Sequence, residues 1–324
     1  MRCRQQVIEE KKQFIRGLHN LKPSQGGCVA TIGSFDGVHR GHRAILQQLI
    51  DKAAELGLPS VVMIFEPQPQ EFFSGEQAPA RLMRLREKVE AFIEAGVDQV
   101  FCLQFNRSLR SLSAMDFIDQ VLISGLAIRC LVVGDDFRFG HDRSGNHQLL
   151  ERVGKQQGFE VLDTHTLEYQ GERISSTRIR HALEQADFSL AETLLGKPFR
   201  ITGRVVYGQQ LGRQLGIPTA NVQLNRYRAP LSGVYVVEVL LGDRCLPGVA
   251  NVGVRPTVGD LIKPVLEVHL LDFDEQLYGR RIQVEFKAKV REEAKFASLD
   301  MMVEEIHNDI TVAREYFAEQ IKDV

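Results

Sequence analysis

Tryptophan is absent from the 324 residues, and cysteine is scarce. The five cysteines are scattered and no C-x-x-C pair occurs, so neither a disulfide framework nor a zinc site is indicated. We therefore expect the chain to work in a reducing compartment, the cytoplasm. Without tryptophan, any ring that stacks on a ligand has to come from Phe or Tyr.

Positive charge is not in excess either. The chain has 40 Lys and Arg against 42 Asp and Glu, a formal net charge of -2. No basic field is available for a phosphate backbone, so we expect no nucleic-acid partner. Apolar runs stay well short of the about 18 residues that cross a bilayer, and charges flank Val7 and Ile8 where a signal peptide would be apolar. We expect no membrane partner.

The length of the chain exceeds what one hydrophobic core usually organises. In the first half, apolar runs bounded by Gly or Asp alternate with stretches of helical periodicity. The runs are residues 28–35, 60–65, 99–103, 129–135 and 159–162. Strands that alternate with helices predict a doubly wound parallel α/β sheet, which binds ligands at the carboxyl ends of its strands.

Past residue 187 the pattern changes to short β-rich runs separated by Gly and Pro. These runs are residues 200–207, 233–241, 246–252, 265–272 and 280–290. They predict an antiparallel barrel or sandwich, closed by a long helix that starts at residue 298 and ends near residue 322. We place the domain boundary in the helical stretch 179–195, which gives domains 1–186 and 187–324.

The first predicted strand runs into G-S-F-D-G-V-H-R-G-H, residues 33–42. A glycine-rich turn from a strand into a helix presents backbone N–H groups and the positive end of the helix dipole, which suits phosphate. His39 and His42 are three residues apart and can face one anion, while Gly41 lets phosphate oxygens approach the backbone. The pair could equally cap a helix, and a zinc site would need further ligands.

Two further segments carry candidate binding groups. G-D-D-F-R-F-G, residues 134–140, follows the fourth predicted strand, and I-S-S-T-R-I-R, residues 174–180, opens a helix. By themselves they describe a loop and a helix N-cap. Hydroxyl groups and an arginine at a helix start also make an anion site.

Together, the three segments resemble the adenylyltransferase domain of the prokaryotic bifunctional riboflavin kinase/FAD synthetase family. The resemblance implies a Rossmann-like nucleotidylyltransferase fold in which His39, His42 and Arg178 act as electrostatic clamps on ATP. It also implies a nucleotide- and flavin-binding set of Gly33, Phe35, Asp36, Gly37, Gly41, Asp136, Ser175, Ser176 and Thr177. One departure is Gln68, which stands where the family usually has a histidine and cannot carry its charge.

The second candidate site begins at residues 203–221, G-R-V-V-Y-G-Q-Q-L-G-R-Q-L-G-I-P-T-A-N. Four glycines in fourteen residues allow a loop to wrap closely round a polyanion, although an array of tight turns explains them as well. The Walker A pattern G-x-x-x-x-G-K-[ST] occurs nowhere in the chain.

The glycine loop leading into P-T-A-N resembles the riboflavin kinase domain of the same family. The resemblance implies a β-barrel in which the oxygens of Thr219 and Asn221 hold Mg²⁺ with ATP phosphates, and in which Glu267 is the catalytic base toward the flavin's terminal ribityl hydroxyl. Alternation puts Glu267 and His269 on one strand face, which an ordinary solvated face also explains. Further implied contacts to nucleotide or flavin are Gly208, Gly212, Arg213, Gly216, Asn251, Arg291, Phe296 and Asp300.

The resemblance implies a bifunctional transferase that makes FMN from riboflavin and then FAD from FMN, with ATP as a substrate of both steps. Its partners would be small molecules, and its oligomeric state stays open. Three rival functions are a flavin-binding regulator without turnover, a ligase related to aminoacyl-tRNA synthetases, and an adenylyltransferase for another substrate such as a pantetheine phosphate. The first conflicts with the retained site residues, the second with the missing K-M-S-K-S segment, and the third with the P-T-A-N loop.

Overall fold

The computed structural model describes residues 13–22, 26–164, 166–208, 212, 215–256 and 262–322. These residues form two compact units. The first unit comprises the described residues up to Pro79 together with Leu85–Ser175, and the second comprises Ala80–Arg84 with the described residues from Ser176 onward. Among the described helices, none is long and apolar enough to cross a membrane.

The first unit is built on a six-stranded sheet in the order β1-β4-β3-β2-β5-β6, with every neighbouring pair parallel. This confirms the predicted parallel α/β fold. β2 is buried along its whole length, as expected of a central strand covered on both faces. The strands are β1 Gln13–Arg16, β2 Cys28–Ile32, β3 Ser60–Glu66, β4 Gln99–Gln104, β5 Ile128–Val133 and β6 Glu160–Asp163.

Amphipathic helices follow the strands of this sheet. The longest, α1, buries Leu46, Leu49 and Ala53 and ends at Gly57, whose φ of 65° gives the left-handed conformation of a helix C-cap. A short hairpin, β7 Glu168–Tyr169 and β8 Glu172–Arg173, closes the unit. The helices are α1 Arg40–Leu56, α2 Pro69–Ser74, α3 Leu85–Glu94, α4 Arg107–Arg110, α5 Ala114–Phe117, continued by a π-helical turn Ile118–Ile123, and α6 His147–Gln157.

Strand order reverses at β2, which has β3 on one side and β5 on the other. Open α/β sheets bind ligands in the crevice at such a reversal, beyond the carboxyl ends of the strands. The G-S-F-D-G-V-H-R-G-H segment follows β2, and the G-D-D-F-R-F-G segment follows β5. The topology therefore brings these two predicted segments to the same crevice.

The second unit is a closed barrel of six antiparallel strands in the order β10-β13-β12-β11-β14-β9, so the sandwich alternative is excluded. Ala313 of the final helix α9 packs in the apolar cluster of Val234, Val236 and Val249, which confirms that this helix closes the barrel. The elements are α7 Ser176–Glu184, α8 Phe188–Leu195, β9 Arg200–Val206, β10 Ala220–Val222, β11 Gly233–Leu241, β12 Arg244–Pro256, β13 Ile262–Leu270, β14 Arg281–Arg291 and α9 Leu299–Lys322.

Ala80–Arg84 belongs to the second unit because arginine hydrogen bonds anchor it there. Arg180 Nε donates to the Ala80 carbonyl at 2.6 Å, and Arg226 Nη1 donates to the Arg81 carbonyl at 2.8 Å. Arg226 is itself buried. The periodicity of the sequence did not predict that these five residues belong to the second unit.

Two candidate active sites

Residues 33–39, which we call the phosphate loop, connect β2 to α1 in an unusual backbone conformation. Phe35 and Val38 have φ values of 46° and 41°, in the left-handed region that a β-branched residue rarely adopts. Each such residue costs about 1–3 kcal/mol, and such strain concentrates at ligand sites. A Cβ on Gly33 would lie 2.9 Å from the Phe35 ring, so glycine is needed for the ring to fold over it.

The two histidines of the loop lie against each other. His39 is the N-cap of α1, and its Nδ1 accepts the His42 N–H at 3.2 Å, which places the proton of a neutral His39 ring on Nε2. The two rings stack with centroids 3.6 Å apart and planes inclined by 16°. A Cβ on Gly41 would lie 3.3 Å from His39 Nδ1. The structure thus brings the two imidazoles and the small residue between them together.

The environment of His42 disfavours the charged form of its imidazole. Burial is the main cause that holds its pKa well below the ordinary value, and the neighbouring His39 adds to the effect. The positive charges of Lys88 and Arg173 contribute in the same direction. Nδ1 of His42 is buried and has no hydrogen-bond partner among the described residues, so it is available to a ligand.

Other predicted residues surround the same crevice. Asp36 is buried in the phosphate loop, and Gly37 has a φ of 90° that glycine readily adopts. Asp136, after β5, is exposed and forms an ion pair with Arg173 at 2.8 Å. A Cβ on Gly41 would lie 3.5 Å from the Ile174 carbonyl oxygen. Ser175, the next residue, is therefore close to the turn that carries His39 and His42.

Helix α7 starts at Ser176, so Ser176, Thr177 and Arg178 form its first turn and belong to the second unit. At the end of β3 in the first unit, Gln68 is buried and its backbone N–H donates to Glu71 Oε2 at 3.1 Å. Its Nε2 has no partner among the described residues. Gln68 therefore keeps a donor where the family usually has a histidine.

The second unit contains a cavity of about 280 Å³, which we call the acceptor cavity and which is lined by barrel strands and by helix α9. Glu267 on β13 stands in register with Asn221 on β10 and with Asn251 on β12, so the three side chains lie side by side across three strands. All three line the cavity, together with Gly212, Leu215, Ile217, Thr219, Val234, Val249, His269, Arg291, Glu293, Ala294, Phe296, Met302, Ile306, Asp309 and Ile310.

The predicted alternation along β13 is confirmed. Glu267 and His269 face the acceptor cavity, whereas Leu266, Val268 and Leu270 are buried on the other side. His269 Nδ1 lies 2.9 Å from the Pro218 carbonyl and thereby ties β13 to the P-T-A-N segment.

Asn251 brings an unused acceptor to the acceptor cavity. Its Oδ1 is buried and has no hydrogen-bond partner among the described residues. A buried polar atom without a partner is costly, so a ligand hydroxyl that donates to it would be favoured. The Asn221 amide packs closely against Gly208, where a Cβ would lie 2.6 Å from its Cγ and Oδ1.

A second cavity of about 500 Å³, which we call the donor cavity, adjoins the first. Among the described residues, Thr219 and Asn221 line both cavities. The other residues of the donor cavity are Val205, Gly208, Pro218, Ala220, Val268, Leu270, Phe273, Asp274, Glu275, Gln276, Leu277 and Tyr278. The two predicted metal ligands therefore stand where the cavities meet.

The donor set fits Mg²⁺. A threonine hydroxyl and an asparagine carbonyl are hard oxygen ligands, and Mg²⁺ commonly takes few protein ligands beside phosphate and water. Within the described part of the chain, no group of three or more His, Cys, Asp and Glu side chains could hold a metal ion by itself. Substrate phosphates would have to complete the shell.

Of the remaining predicted contacts, Arg291 and Phe296 line the acceptor cavity, whereas Asp300 does not. Arg291 lines the acceptor cavity, donates from Nε and Nη2 to the two carboxylate oxygens of Asp309 at 2.8 Å, and lies 5.5 Å from the Phe296 ring centre. This pairing raises the pKa of Arg291. Asp300, in contrast, lies in the first turn of α9 and lines a separate surface depression.

Two more members of the predicted set belong to the glycine loop. Gly216 adopts a φ of 75°, and a Cβ there would meet nothing within 4 Å. Arg213 lies outside the described residues.

Two family models match the chain in the order of its units: the FAD synthetase model over residues 21–178 and the riboflavin kinase model over residues 195–317. The bifunctional riboflavin kinase/FMN adenylyltransferase of Pseudomonas fluorescens is 58% identical over 302 residues, which cover 93% of this chain and 97% of the relative. The chain belongs to the bifunctional riboflavin kinase/FMN adenylyltransferase family. The resemblance found in its sequence motifs is thereby confirmed.

Other members of the family are similar over the same extent. The Escherichia coli (strain K12) bifunctional riboflavin kinase/FMN adenylyltransferase is 53% identical over 307 residues, or 94% of this chain and 98% of the relative. A crystal structure from Streptococcus pneumoniae, described as a macrolide-efflux protein, matches with a TM-score of 0.76 at 29% identity over 94% of this chain and 99% of that one.

Sequence reasoning missed several residues at these sites. Asp309, the buried partner of Arg291, reads as one more polar residue of a long helix. Glu293, which lines the acceptor cavity, and residues 273–278, which line the donor cavity, belong to none of the motifs on which the sequence predictions rest. Lys88 stands in an amphipathic helix where lysine is ordinarily exposed, so only tertiary structure reveals its burial.

Proposed function

We propose that the chain makes FMN and FAD in succession. Residues 187–324 transfer the γ-phosphoryl group of ATP to riboflavin, and residues 1–186 transfer AMP from a second ATP to FMN, releasing pyrophosphate. The observation that carries the kinase assignment is the meeting of two cavities at Thr219 and Asn221, with Glu267 in register beside Asn221. A phosphoryl donor in one cavity and an alcohol in the other would react at that point.

The acceptor cavity suits riboflavin. Leu215, Ile217, Val234, Met302 and Ile306 give it apolar walls for a flat ring system, with Phe296 as the aromatic side chain of the lining. Asn251 Oδ1 supplies a buried acceptor for a ribityl hydroxyl.

Glu267 is the base of phosphoryl transfer. Its carboxylate accepts the proton of the terminal ribityl hydroxyl while that oxygen attacks the γ-phosphorus, and ADP departs into the donor cavity. A positioned base contributes about 10²- to 10⁴-fold in rate. Thr219 and Asn221 would hold Mg²⁺, which when bound neutralises charge on the phosphates.

Adenylyl transfer needs no base, because the FMN phosphate is already ionised near neutral pH. Its oxygen attacks the α-phosphorus of ATP, and pyrophosphate leaves. The N–H groups of the phosphate loop and the N-terminus of α1 bind the polyphosphate, and His39 and His42 donate hydrogen bonds to it.

We place these reactions in the cytoplasm, with small molecules as the only partners required. The described cysteines Cys28, Cys102, Cys130 and Cys245 are free thiols, which agrees with a reducing compartment.

A product assay tests the proposal. Purified full-length chain is incubated with riboflavin, ATP and Mg²⁺, and flavins are separated by chromatography over time. We expect FMN to appear first and FAD to follow, with both reactions stopped by EDTA. If neither flavin product forms, or if FAD forms without an FMN precursor, the proposal is wrong.

A further inference from the structure

Helix α3 contacts the phosphate loop through two side chains one turn apart. Lys88 is fully buried, at 0% exposure, and its Nζ donates to the Ser34 carbonyl at 3.0 Å. Phe92 meets the Phe35 ring edge-on, with centroids 5.5 Å apart. Residues four apart share a helix face, so one face of α3 holds two consecutive residues of the loop.

Packing alone does not explain a lysine in this place. Removing an ammonium group from water is costly, and an apolar residue of similar volume usually stabilises a core better. Two carboxyl groups of the same unit are buried as well: Asp36 in the loop and Glu87, which precedes Lys88 on α3.

We propose that Lys88 is a positioning residue for adenylyl transfer, which holds the Ser34 carbonyl inward so that the N–H groups of the phosphate loop face the ATP phosphates. The inference rests on the proposed FMN adenylyltransferase site. With the Ser34 carbonyl held, Phe35 keeps its positive φ and its ring stays over Gly33. A buried cation under the loop also attracts the polyphosphate at no cost of reorganisation.

The same charge acts on His42. Burial is the main cause that lowers the pKa of His42, and the charges of His39 in the loop, Lys88 on α3 and Arg173 on β8 lower it further. Removing the charge of Lys88 should therefore raise the pKa of His42. A shift of that titration would show that the charge of Lys88 reaches the ring that faces the proposed phosphate site.

The test compares Lys88→Met, which removes donor and charge at similar length, with Lys88→Arg, which keeps both. Phe92→Leu serves as the matched control, because it loosens the same helix face without changing charge. For each full-length variant we measure kcat and KM for ATP in FMN adenylylation across pH, riboflavin kinase activity in the same preparation, and the melting temperature.

We expect Lys88→Met to lose about 10²-fold in kcat/KM for adenylylation, the cost typical of an ångström-scale misplacement. Lys88→Arg should stay within about tenfold of wild type because it can reach the same carbonyl and keeps the charge. The inflection due to His42 in the pH profile should move to higher pH in Lys88→Met only, and kinase activity should not change.

Two results would overturn the inference: wild-type adenylylation in Lys88→Met, or equal losses in Lys88→Met and Phe92→Leu with an unmoved pH inflection. Failure of the proposed function is a distinct result, because the wild-type chain would then form no FAD from FMN.

Discussion

Replacement of Gly208 by alanine tests the P-T-A-N site through its geometry alone. The φ of Gly208 lies outside the left-handed region, so alanine introduces no backbone strain there. Its Cβ would nevertheless lie 2.6 Å from Cγ and Oδ1 of Asn221. That is roughly 1 Å too close, since non-bonded carbon atoms pack at about 3.5–4.0 Å. The Asn221 amide therefore has to move.

A displacement of about 1 Å at a catalytic centre typically costs about 10²-fold in rate. We expect Gly208→Ala to lose about that factor in kcat/KM for FMN formation, while FAD formation from added FMN stays at the wild-type rate. Both rates come from chromatography of flavins with the purified chain, ATP and Mg²⁺.

Gly216→Ala is the matched control in the same loop, because its new Cβ meets no atom within 4 Å although its φ of 75° is unfavourable for alanine. Gly216→Ala should lower the melting temperature, while its kinase rate should stay close to the wild-type rate. A wild-type kinase rate in Gly208→Ala would refute the reasoning, as would an equal loss of both activities.

Two further predictions concern His42 and Asp309. Because the folded state lowers the pKa of His42, the unfolded chain binds more protons as the pH falls below 6.5, and stability is lost in that direction. His42→Asn should flatten this dependence in thermal melts between about pH 5 and 7.5; an unchanged slope would contradict the assignment. Asp309→Asn removes the bidentate carboxylate partner of Arg291 and leaves it only Glu305, whose Oε1 lies 3.3 Å from Arg291 Nε, and we expect about a tenfold higher KM for riboflavin. An unaltered KM would show that the pair does not shape the acceptor cavity.

Much of the fold was predictable because buried parallel strands are continuous apolar runs. β2 was expected over residues 28–35 and ends at Ile32, since the glycine turn begins while the sequence is still partly apolar. β1 was not predicted, because an edge strand of four residues that are mostly exposed carries no apolar pattern. β10 was missed because two of its three residues lie inside the P-T-A-N motif, which suggested a loop.

The sites were predictable to the extent that their residues share a motif. Glu267 was placed on the correct strand face by alternation, and His39 and His42 by their spacing. The neighbours of Glu267 on β10 and β12 could not be derived, because cross-strand register depends on barrel closure. The Lys88 contact with Ser34 joins residues 54 apart in sequence and follows from how α3 packs on the sheet.

The most direct test of two separate sites in one chain uses Glu267→Gln. This variant keeps the shape of the side chain but removes the proposed base, so riboflavin kinase activity should fall by about 10²- to 10⁴-fold. Supplied with riboflavin and ATP, it should yield almost no FMN or FAD; supplied with FMN and ATP, it should form FAD at the wild-type rate. FAD formation from FMN that falls together with kinase activity would contradict the account.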